Sequence, residues 1–326
     1  MENKLSKRAK IIRDMVYEFN HNAKIKDMFV NDTRSISEMD KAYKYPSYIK
    51  AERISLANFE MELISRKAEE DKTDSEKSEN EKFENEKIEN GRLVILQLHG
   101  GGYVNAFKNN YRTMAGLYSE AGDGADVLSI DYRVAPEHPF PAAFEDALAA
   151  YDWLLARGYG ENEIILAGDS AGGGLAMAVC HYLKDAGRKL PAGIIAMSPW
   201  TDVAATGASY RDNYEIDPIF GQDEDSLIYN NPYVAENDPE NPYISPMYGD
   251  FAGFPPMLIQ VGTHEMLFSD SETVAAKAKE AGVKVKLSVY EGMFHVFQMA
   301  AKLMPESKQA WTEVQGFIKY IVSEGR

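Results

Sequence analysis

The sequence Glu163-Ile-Ile-Leu-Ala-Gly-Asp-Ser-Ala-Gly-Gly-Gly-Leu175 joins an apolar run, a glycine-rich turn and the start of an alanine-rich segment. Residues 164–167 are predicted to form a strand buried on both faces, and residues 171–183 are rich in helix-forming side chains. The turn between them must be very tight, and Gly168 and Gly172 allow the two backbones to pack closely around Ser170. We therefore expect Ser170 in a strained conformation, with its hydroxyl projecting from the carboxyl end of a sheet.

The same turn has a second interpretation. A glycine-rich turn that opens a helix can bind a phosphate group through its backbone N–H groups. However, no Walker lysine follows the turn, and its glycines do not have the G-x-G-x-x-G spacing. The turn by itself therefore leaves two hypotheses open: either Ser170 is a catalytic nucleophile, or the turn binds a phosphate group.

Composition restricts the classes of function. The chain has 326 residues, of which 44% are hydrophobic, so it can bury a large core in one main domain. A net charge of −16 and a pI of about 4.9 argue against a nucleic-acid partner, which requires clustered Lys and Arg. The single cysteine, Cys180, rules out an intramolecular disulfide and indicates a core thiol. Residues 1–10 lack the apolar core of a signal peptide and no apolar run could span a bilayer, so we predict a cytoplasmic protein without stable membrane insertion.

The N-terminal third contains two unusual segments. Apolar residues recur at helical spacing near the N-terminus, namely Leu5, Ala9, Ile12, Val16 and Phe19. This spacing predicts an amphipathic helix. The helix would belong to an N-terminal helical cap formed by residues 1–50. Residues 51–326 would then form the catalytic domain. Residues 67–90 are charged and contain three Glu-Lys-x-Glu-Asn pentapeptides, whose period of five fits neither a helix nor a strand. We interpret them as a solvated, acidic, low-complexity loop insertion, with an interaction segment as the alternative.

From residue 93 onward, short apolar runs alternate with helical stretches. This alternation predicts an α/β fold in which helices cover both faces of a mostly parallel sheet. In such sheets the active site lies beyond the carboxyl ends of the strands. The predicted strands are residues 93–98, 127–130, 164–167, 194–197, 257–261 and 283–289, after one or two strands within residues 54–65.

A second glycine-rich turn, His99-Gly-Gly-Gly-Tyr103, directly follows the first strand of this series. Three consecutive glycines allow bare N–H groups to turn inward without steric hindrance. Together with the N–H of Ala171, the N–H groups of Gly100 and Gly101 would form an oxyanion hole for a tetrahedral intermediate. A flexible loop is the alternative, but the serine turn makes it the weaker one.

Taken together, these motifs resemble those of the hormone-sensitive-lipase-like carboxylesterases, a bacterial-type family of the α/β-hydrolase superfamily. The resemblance covers residues 93–297 and depends on four segments. These are His99-Gly-Gly-Gly102, Asp131-Tyr-Arg-Val-Ala-Pro-Glu-His-Pro-Phe-Pro-Ala142, Gly168-Asp-Ser-Ala-Gly-Gly173 and Ser198-Pro-Trp200. It implies a central sheet of about eight strands, an N-terminal helical cap and hydrolysis of short-chain carboxylic esters without a cofactor or metal.

The resemblance also implies a base and an acid that follow Ser170 in the chain. His295 follows the last predicted strand, where the α/β-hydrolase fold places its base, and His264 is the rival. The family acid is most often an aspartate in Asp-Pro-Leu, whereas this chain has Gly262-Thr-His-Glu-Met-Leu-Phe-Ser-Asp270. Aligning Leu267 with the family leucine places Glu265 in the acid position. Asp270 is the alternative acid, although its position near a helix N-terminus also has a purely structural explanation.

Several further expectations complete the hypothesis. Glu265, His264 and His295 could also bind zinc, but then the two glycine-rich turns would be unexplained. Tyr103, Asp169 and Trp200 are expected to shape the substrate pocket, although the two aromatic residues could equally be core residues. We predict a serine carboxylesterase for small acetyl- or butyryl-type esters, with a homodimer as one oligomeric possibility. An amidase or deacetylase that uses the same residues, or a noncatalytic ligand-binding relative, are the alternative functions.

Overall fold

A computed structural model of the chain describes residues 5–21, 43–67 and 92–324. The predicted acidic insertion therefore lies, apart from Lys67, outside the described residues, as does part of the predicted cap. Cys180 is buried in the core, as predicted.

Eight strands form one sheet, in the spatial order β1-β2-β4-β3-β5-β6-β7-β8. The strand β2 is antiparallel to both of its neighbours, and the strands from β3 to β8 are mutually parallel. This confirms the predicted mostly parallel sheet. The strands are β1 (Ile49–Ser55), β2 (Glu60–Arg66), β3 (Val94–Leu98), β4 (Asp126–Asp131), β5 (Ile164–Asp169), β6 (Gly193–Met197), β7 (Met257–Gly262) and β8 (Val285–Tyr290).

Seven α-helices lie in the described ranges, and they cover both faces of the sheet. They are α1 (Lys7–His21), α2 (Asn109–Ala121), α3 (Ala142–Ala156), α4 (Ala171–Asp185), α5 (Ser209–Asp212), α6 (Phe268–Glu280) and α7 (Pro305–Glu324). Successive residues of a strand point to opposite faces. Ile95 therefore belongs to the core cluster that contains residues of α2 and α7, whereas Leu96 belongs to the cluster that contains residues of α3, α4 and α6. Both of these side chains are fully buried. Burial on both faces of the sheet therefore explains why the sequences of these strands are continuously apolar.

The register of the sheet brings distant parts of the sequence together. Leu98 at the end of β3 pairs with Gly168 near the end of β5, and Gly262 at the end of β7 pairs with Tyr290 at the end of β8. Because these strands are parallel, the segments that follow them emerge at the same edge. These segments contain the glycine-rich turn, Ser170, the two candidate acids and His295.

The N-terminal helix α1 confirms the predicted helix and most of its apolar face, but Phe19 is 39% exposed. Leu5, Ala9, Ile12 and Val16 pack against a cluster that follows β8 and includes Phe294. Beside this contact, the side-chain amide of Asn20 donates to the carbonyl of Pro218 at 2.9 Å, and His21 Nε2 lies 2.8 Å from the carbonyl oxygen of Gly221. The helix therefore contacts two segments that also border the candidate site.

Candidate active site

Ser170 occupies the sharp turn between β5 and α4. Its backbone angles are φ 52° and ψ −123°, a region that non-glycine residues rarely adopt. A Cβ atom at Gly172 would collide with the carbonyl oxygen of Leu98 at the end of β3, and one at Gly168 would collide with Gly172. The two glycines thus permit the close approach of strand and helix that holds Ser170 in this conformation.

Glu265 and His295 are brought together at the ends of β7 and β8. His295 Nδ1 lies 3.0 Å from Glu265 Oε2, which leaves the other ring nitrogen for a different partner. The second carboxylate oxygen, Oε1, accepts from Ser198 Oγ at 2.9 Å and from the N–H of Gly262 at 2.5 Å. Complete burial raises the pKa of Glu265, and the contact with His295 opposes that rise.

Asp270, the alternative acid, contacts a different part of the chain. Its Oδ2 accepts from the backbone N–H groups of Thr201 and Asp202 at 2.8 and 2.9 Å. The rival base His264 lies with its Nδ1 3.3 Å from Thr263 Oγ1. Of the candidate acids and bases, the structure therefore pairs Glu265 with His295.

The glycine-rich turn after β3 lies beside Ser170. Gly101 and Gly102 have φ values of 107° and 63°, which favour glycine. The His99 ring stacks on Tyr132 at a centroid distance of 3.9 Å, and its Nδ1 lies 2.7 Å from the carbonyl oxygen of Gly100. These contacts hold the turn against the sheet.

Gly100 has an environment that the sequence did not indicate. A Cβ atom at Gly100 would collide with Asp169 Oδ2, so the glycine turn and the segment before Ser170 approach each other closely. Gly101 and Gly102, but not Gly100, line the cavity that contains Ser170. The place of the Gly100 N–H in the oxyanion hole stays a prediction.

A cavity of about 380 Å³ contains both Ser170 and His295. A second cavity of about 390 Å³ between α2 and α7 is bordered by none of the predicted site residues in the described ranges. Chemistry rather than size therefore identifies the first cavity as the candidate site. Its other lining residues are Gly101, Gly102, Asn105, Tyr111, Asp169, Ile219, Phe220, Leu227, Phe294, Val296 and Met299.

Comparison with known proteins identifies the family. The family model described as alpha/beta hydrolase fold matches residues 95–299. An esterase from the bacterial hormone-sensitive lipase family has a similar structure, with a TM-score of 0.79 and 35% identity over 97% of this chain and 99% of that one. The chain belongs to the hormone-sensitive-lipase-like α/β-hydrolases. It is a carboxylic ester hydrolase.

Two further similar proteins support the assignment of this chain to the carboxylic ester hydrolases. An acetyl-hydrolase from Streptomyces hygroscopicus is 40% identical over 71% of this chain and 77% of its own length. The structure of EstE5 soaked by p-nitrophenyl butyrate has a TM-score of 0.78 and 33% identity, covering 98% of this chain and 99% of that chain. Among the described helices of the esterase, none is long and apolar enough to cross a membrane.

The structure corrects two predicted pocket residues of the esterase. Tyr103 and Trp200 are both about 1% exposed and belong to the main core cluster. Tyr103 stacks on Tyr233 at 3.8 Å, and the Trp200 indole donates to the carbonyl of Asp202 at 3.1 Å. Large aromatic side chains gain more from complete burial than from lining a half-open cavity. The third predicted pocket residue, Asp169, does line the cavity.

Sequence reasoning missed other contributors to the site. Ser198 has φ 47°, donates to Glu265 and accepts from the N–H of Val296 at 3.1 Å. Its hydroxyl thereby links the segments after β6, β7 and β8. The Ser198-Pro-Trp200 motif was a signal for this residue, but its partners are far away in the sequence. The apolar residues Ile219, Phe220 and Leu227 carried no motif at all.

The zinc hypothesis receives no support from the donor geometry. Within residues 5–21, 43–67 and 92–324, no three His, Cys, Asp or Glu side chains converge so that they could hold a metal ion. Glu265 and His295 instead bond to each other.

Asp169→Asn should increase stability at neutral and higher pH relative to the wild type. Burial raises the pKa of Asp169 to about 7, from 3.8 in the unfolded chain. Between these values the native state holds a proton that the unfolded state releases, so wild-type stability falls as pH rises. The advantage of the variant should grow by about 1.4 kcal/mol per pH unit between pH 4 and 7. Thermal unfolding at pH 5 and pH 8 measures it.

The exposed Asp123 provides a matched control, since Asp123→Asn makes the same chemical change without burial. Its stability difference from the wild type should not vary in this way with pH. A pH-independent difference for Asp169→Asn would contradict the raised pKa of the Asp169 carboxyl group.

Proposed function

We propose that the esterase is a serine carboxylesterase that hydrolyses short-chain esters through an acyl-enzyme intermediate. Ser170 is the nucleophile, His295 the general base and Glu265 the acid that orients it. The observation that carries the proposal is the 3.0 Å contact between His295 Nδ1 and Glu265 Oε2, at a cavity that also contains Ser170. A serine hydroxyl is a poor nucleophile at neutral pH, so it requires such an oriented base.

In the acylation half-reaction, His295 removes the hydroxyl proton as Ser170 attacks the ester carbonyl carbon. The resulting tetrahedral oxyanion is stabilised by N–H groups that are already in place. Ala171 supplies the first N–H of α4, which has no acceptor within the helix, and Gly101 supplies one from the glycine-rich turn. When the C–O bond breaks, His295 gives its proton to the departing alcohol.

In the deacylation half-reaction, water attacks the acyl-enzyme with His295 again as the base. The second tetrahedral intermediate uses the same N–H donors. Its collapse returns the proton to Ser170 and releases the carboxylic acid. Glu265 stays ionised and stabilises the imidazolium in both halves, as its contact with His295 Nδ1 permits.

Short acyl groups fit the dimensions and lining of the cavity. Its volume is about 380 Å³, and Ile219, Phe220 and Leu227 border it with apolar side chains. The acetyl-hydrolase relative and the EstE5 structure soaked by p-nitrophenyl butyrate support the same acyl size. Homodimer formation and a cytoplasmic location stay predictions from the sequence.

Hydrolysis of p-nitrophenyl acetate, butyrate, octanoate and palmitate tests the proposed substrate class. We expect kcat/KM for acetate and butyrate to exceed that for palmitate about tenfold or more, because the longer chain exceeds the cavity. Acetanilide is the amide control, and faster turnover of it than of the esters would favour the amidase alternative. If palmitate were the best ester, the short-chain assignment would be wrong.

A further inference from the structure

Asp217 is a buried carboxylate outside every motif described above. It is fully buried and accepts three backbone hydrogen bonds. Its Oδ2 accepts from the N–H of Met266 at 2.6 Å, and its Oδ1 accepts from Ile219 and Phe220 at 2.7 and 3.1 Å. Met266 directly follows Glu265, so Asp217 fixes the backbone on the carboxyl side of the proposed catalytic acid.

Asn213 holds the same acid from the other side. Its side-chain amide donates to the carbonyl of Glu265 at 2.7 Å and to that of Thr263 at 3.1 Å. Asn213 and Asp217 both belong to residues 213–222, an irregular segment after α5 that we call the clamp segment. The backbone around Glu265 is thus held by a donor and an acceptor from one segment.

The clamp segment also contributes to the wall of the cavity. Ile219 and Phe220 line it, and the Phe220 ring lies 4.8 Å from the ring of His295. Both residues donate their N–H groups to Asp217. The carboxylate that fixes the acid loop therefore also fixes part of the acyl-binding wall.

The charge of Asp217 acts on the same site. Burial raises the pKa of Asp217, while its three N–H donors and the nearby His295 oppose the rise. Its negative charge is also felt by Glu265 and His264. His295 is faced by Glu265 and Asp217, and by Asp169 from β5. Arg13 of α1 approaches the segment after β8 that contains His295, with Nη1 3.3 Å from the carbonyl oxygen of Gly292.

We propose that Asn213 and Asp217 are positioning residues for the hydrolytic reaction. Both side chains hold the backbone of Glu265 so that its carboxylate stays within hydrogen-bond distance of His295. Asp217 also adds a second negative charge that stabilises the imidazolium formed during turnover. The inference rests on the proposed function, because it assigns the acid role to Glu265. It predicts that Asn213 affects kcat through the position of Glu265 alone, whereas Asp217 affects it through both position and charge.

Asp217→Asn is the informative variant, since it keeps the shape and removes the charge. The new amide group cannot accept from all three N–H groups, so the Met266 contact is lost. We expect kcat for p-nitrophenyl butyrate to fall about 10- to 100-fold with a smaller change in KM. We also expect the acidic limb of the kcat/KM profile to move to lower pH, because the imidazolium loses a neighbouring negative charge.

Asn213→Ala separates positioning from charge. It removes both amide hydrogen bonds but keeps the Asp217 carboxylate, so kcat should fall about tenfold without a shift of the acidic limb. Asp212→Asn is the matched control for Asp217→Asn, because it makes the same chemical change at an exposed residue, which pairs with Arg211. That control should retain wild-type kcat and pH profile. Circular dichroism and thermal unfolding define the temperature at which all variants are folded.

The outcomes distinguish this inference from the proposed function. If wild-type hydrolysis depends on Ser170 but folded Asp217→Asn has an unchanged kcat and pH profile, the inference is wrong and the proposed function stands. If wild-type hydrolysis does not depend on Ser170, both are wrong. Should Asp217→Asn fail to fold, an unchanged kcat in folded Asn213→Ala would overturn the positioning role.

Discussion

Ser170→Ala should hydrolyse p-nitrophenyl butyrate about 10⁵-fold more slowly than the wild type, through a loss in kcat. The substitution removes the atom that forms the acyl-enzyme, while the oxyanion donors and the cavity stay in place. What hydrolysis persists should come from those donors acting on attacking water. A steady-state assay with active-site titration of the wild type measures the loss.

Ser271→Ala is the matched control for this prediction. Ser271 is fully buried in α6, and its hydroxyl has no hydrogen-bond partner among the described residues. Removing that hydroxyl should leave kcat within about twofold of the wild type. Equal activity of Ser170→Ala and Ser271→Ala would eliminate Ser170 as the nucleophile.

Glu265→Gln should lower kcat about 10³- to 10⁴-fold, whereas Asp270→Asn should change it only a few-fold. Both carboxylates are almost fully buried, so the two substitutions are matched in shape, charge and burial. Of these two acids, only Glu265 contacts His295. In Glu265→Gln, the amide would either place its NH2 group against the ring or stabilise the wrong tautomer of His295. Steady-state kinetics with p-nitrophenyl butyrate compares the two.

Thermal unfolding completes that comparison. Asp270 accepts from the N–H groups of Thr201 and Asp202, so its substitution should alter stability more than catalysis. A large kcat loss in Asp270→Asn together with near-normal kcat in Glu265→Gln would reassign the acid role.

The turn around Ser170 and the sheet were predictable because their causes are local. Gly168, Gly172 and the apolar run before Ser170 restrict the backbone within a few residues. The glycine turn after β3 and the alternation of apolar runs with helical stretches have the same local character. The family resemblance then directed attention to Glu265 and His295, which the structure places 3.0 Å apart.

Other features depended on contacts between distant segments. Tyr103 directly follows one motif and Trp200 ends another, yet both side chains are buried in the core. Tyr103 stacks on Tyr233, and the Trp200 indole donates to the carbonyl of Asp202. The close approach of Gly100 to Asp169 results from the pairing of β3 with β5. Asn213 and Asp217 lie in an irregular segment with no periodicity, so nothing in their local sequence indicated a role.

The sequence by itself determined the fold class, the strained serine turn and the residue types available for acyl transfer, because glycine spacing and apolar periodicity act over short distances. Only the tertiary structure decided which carboxylate meets His295 and which side chains border the cavity. These outcomes depend on how parallel strands align at one edge of the sheet. That alignment results from packing across the whole core, which no single stretch of the chain encodes.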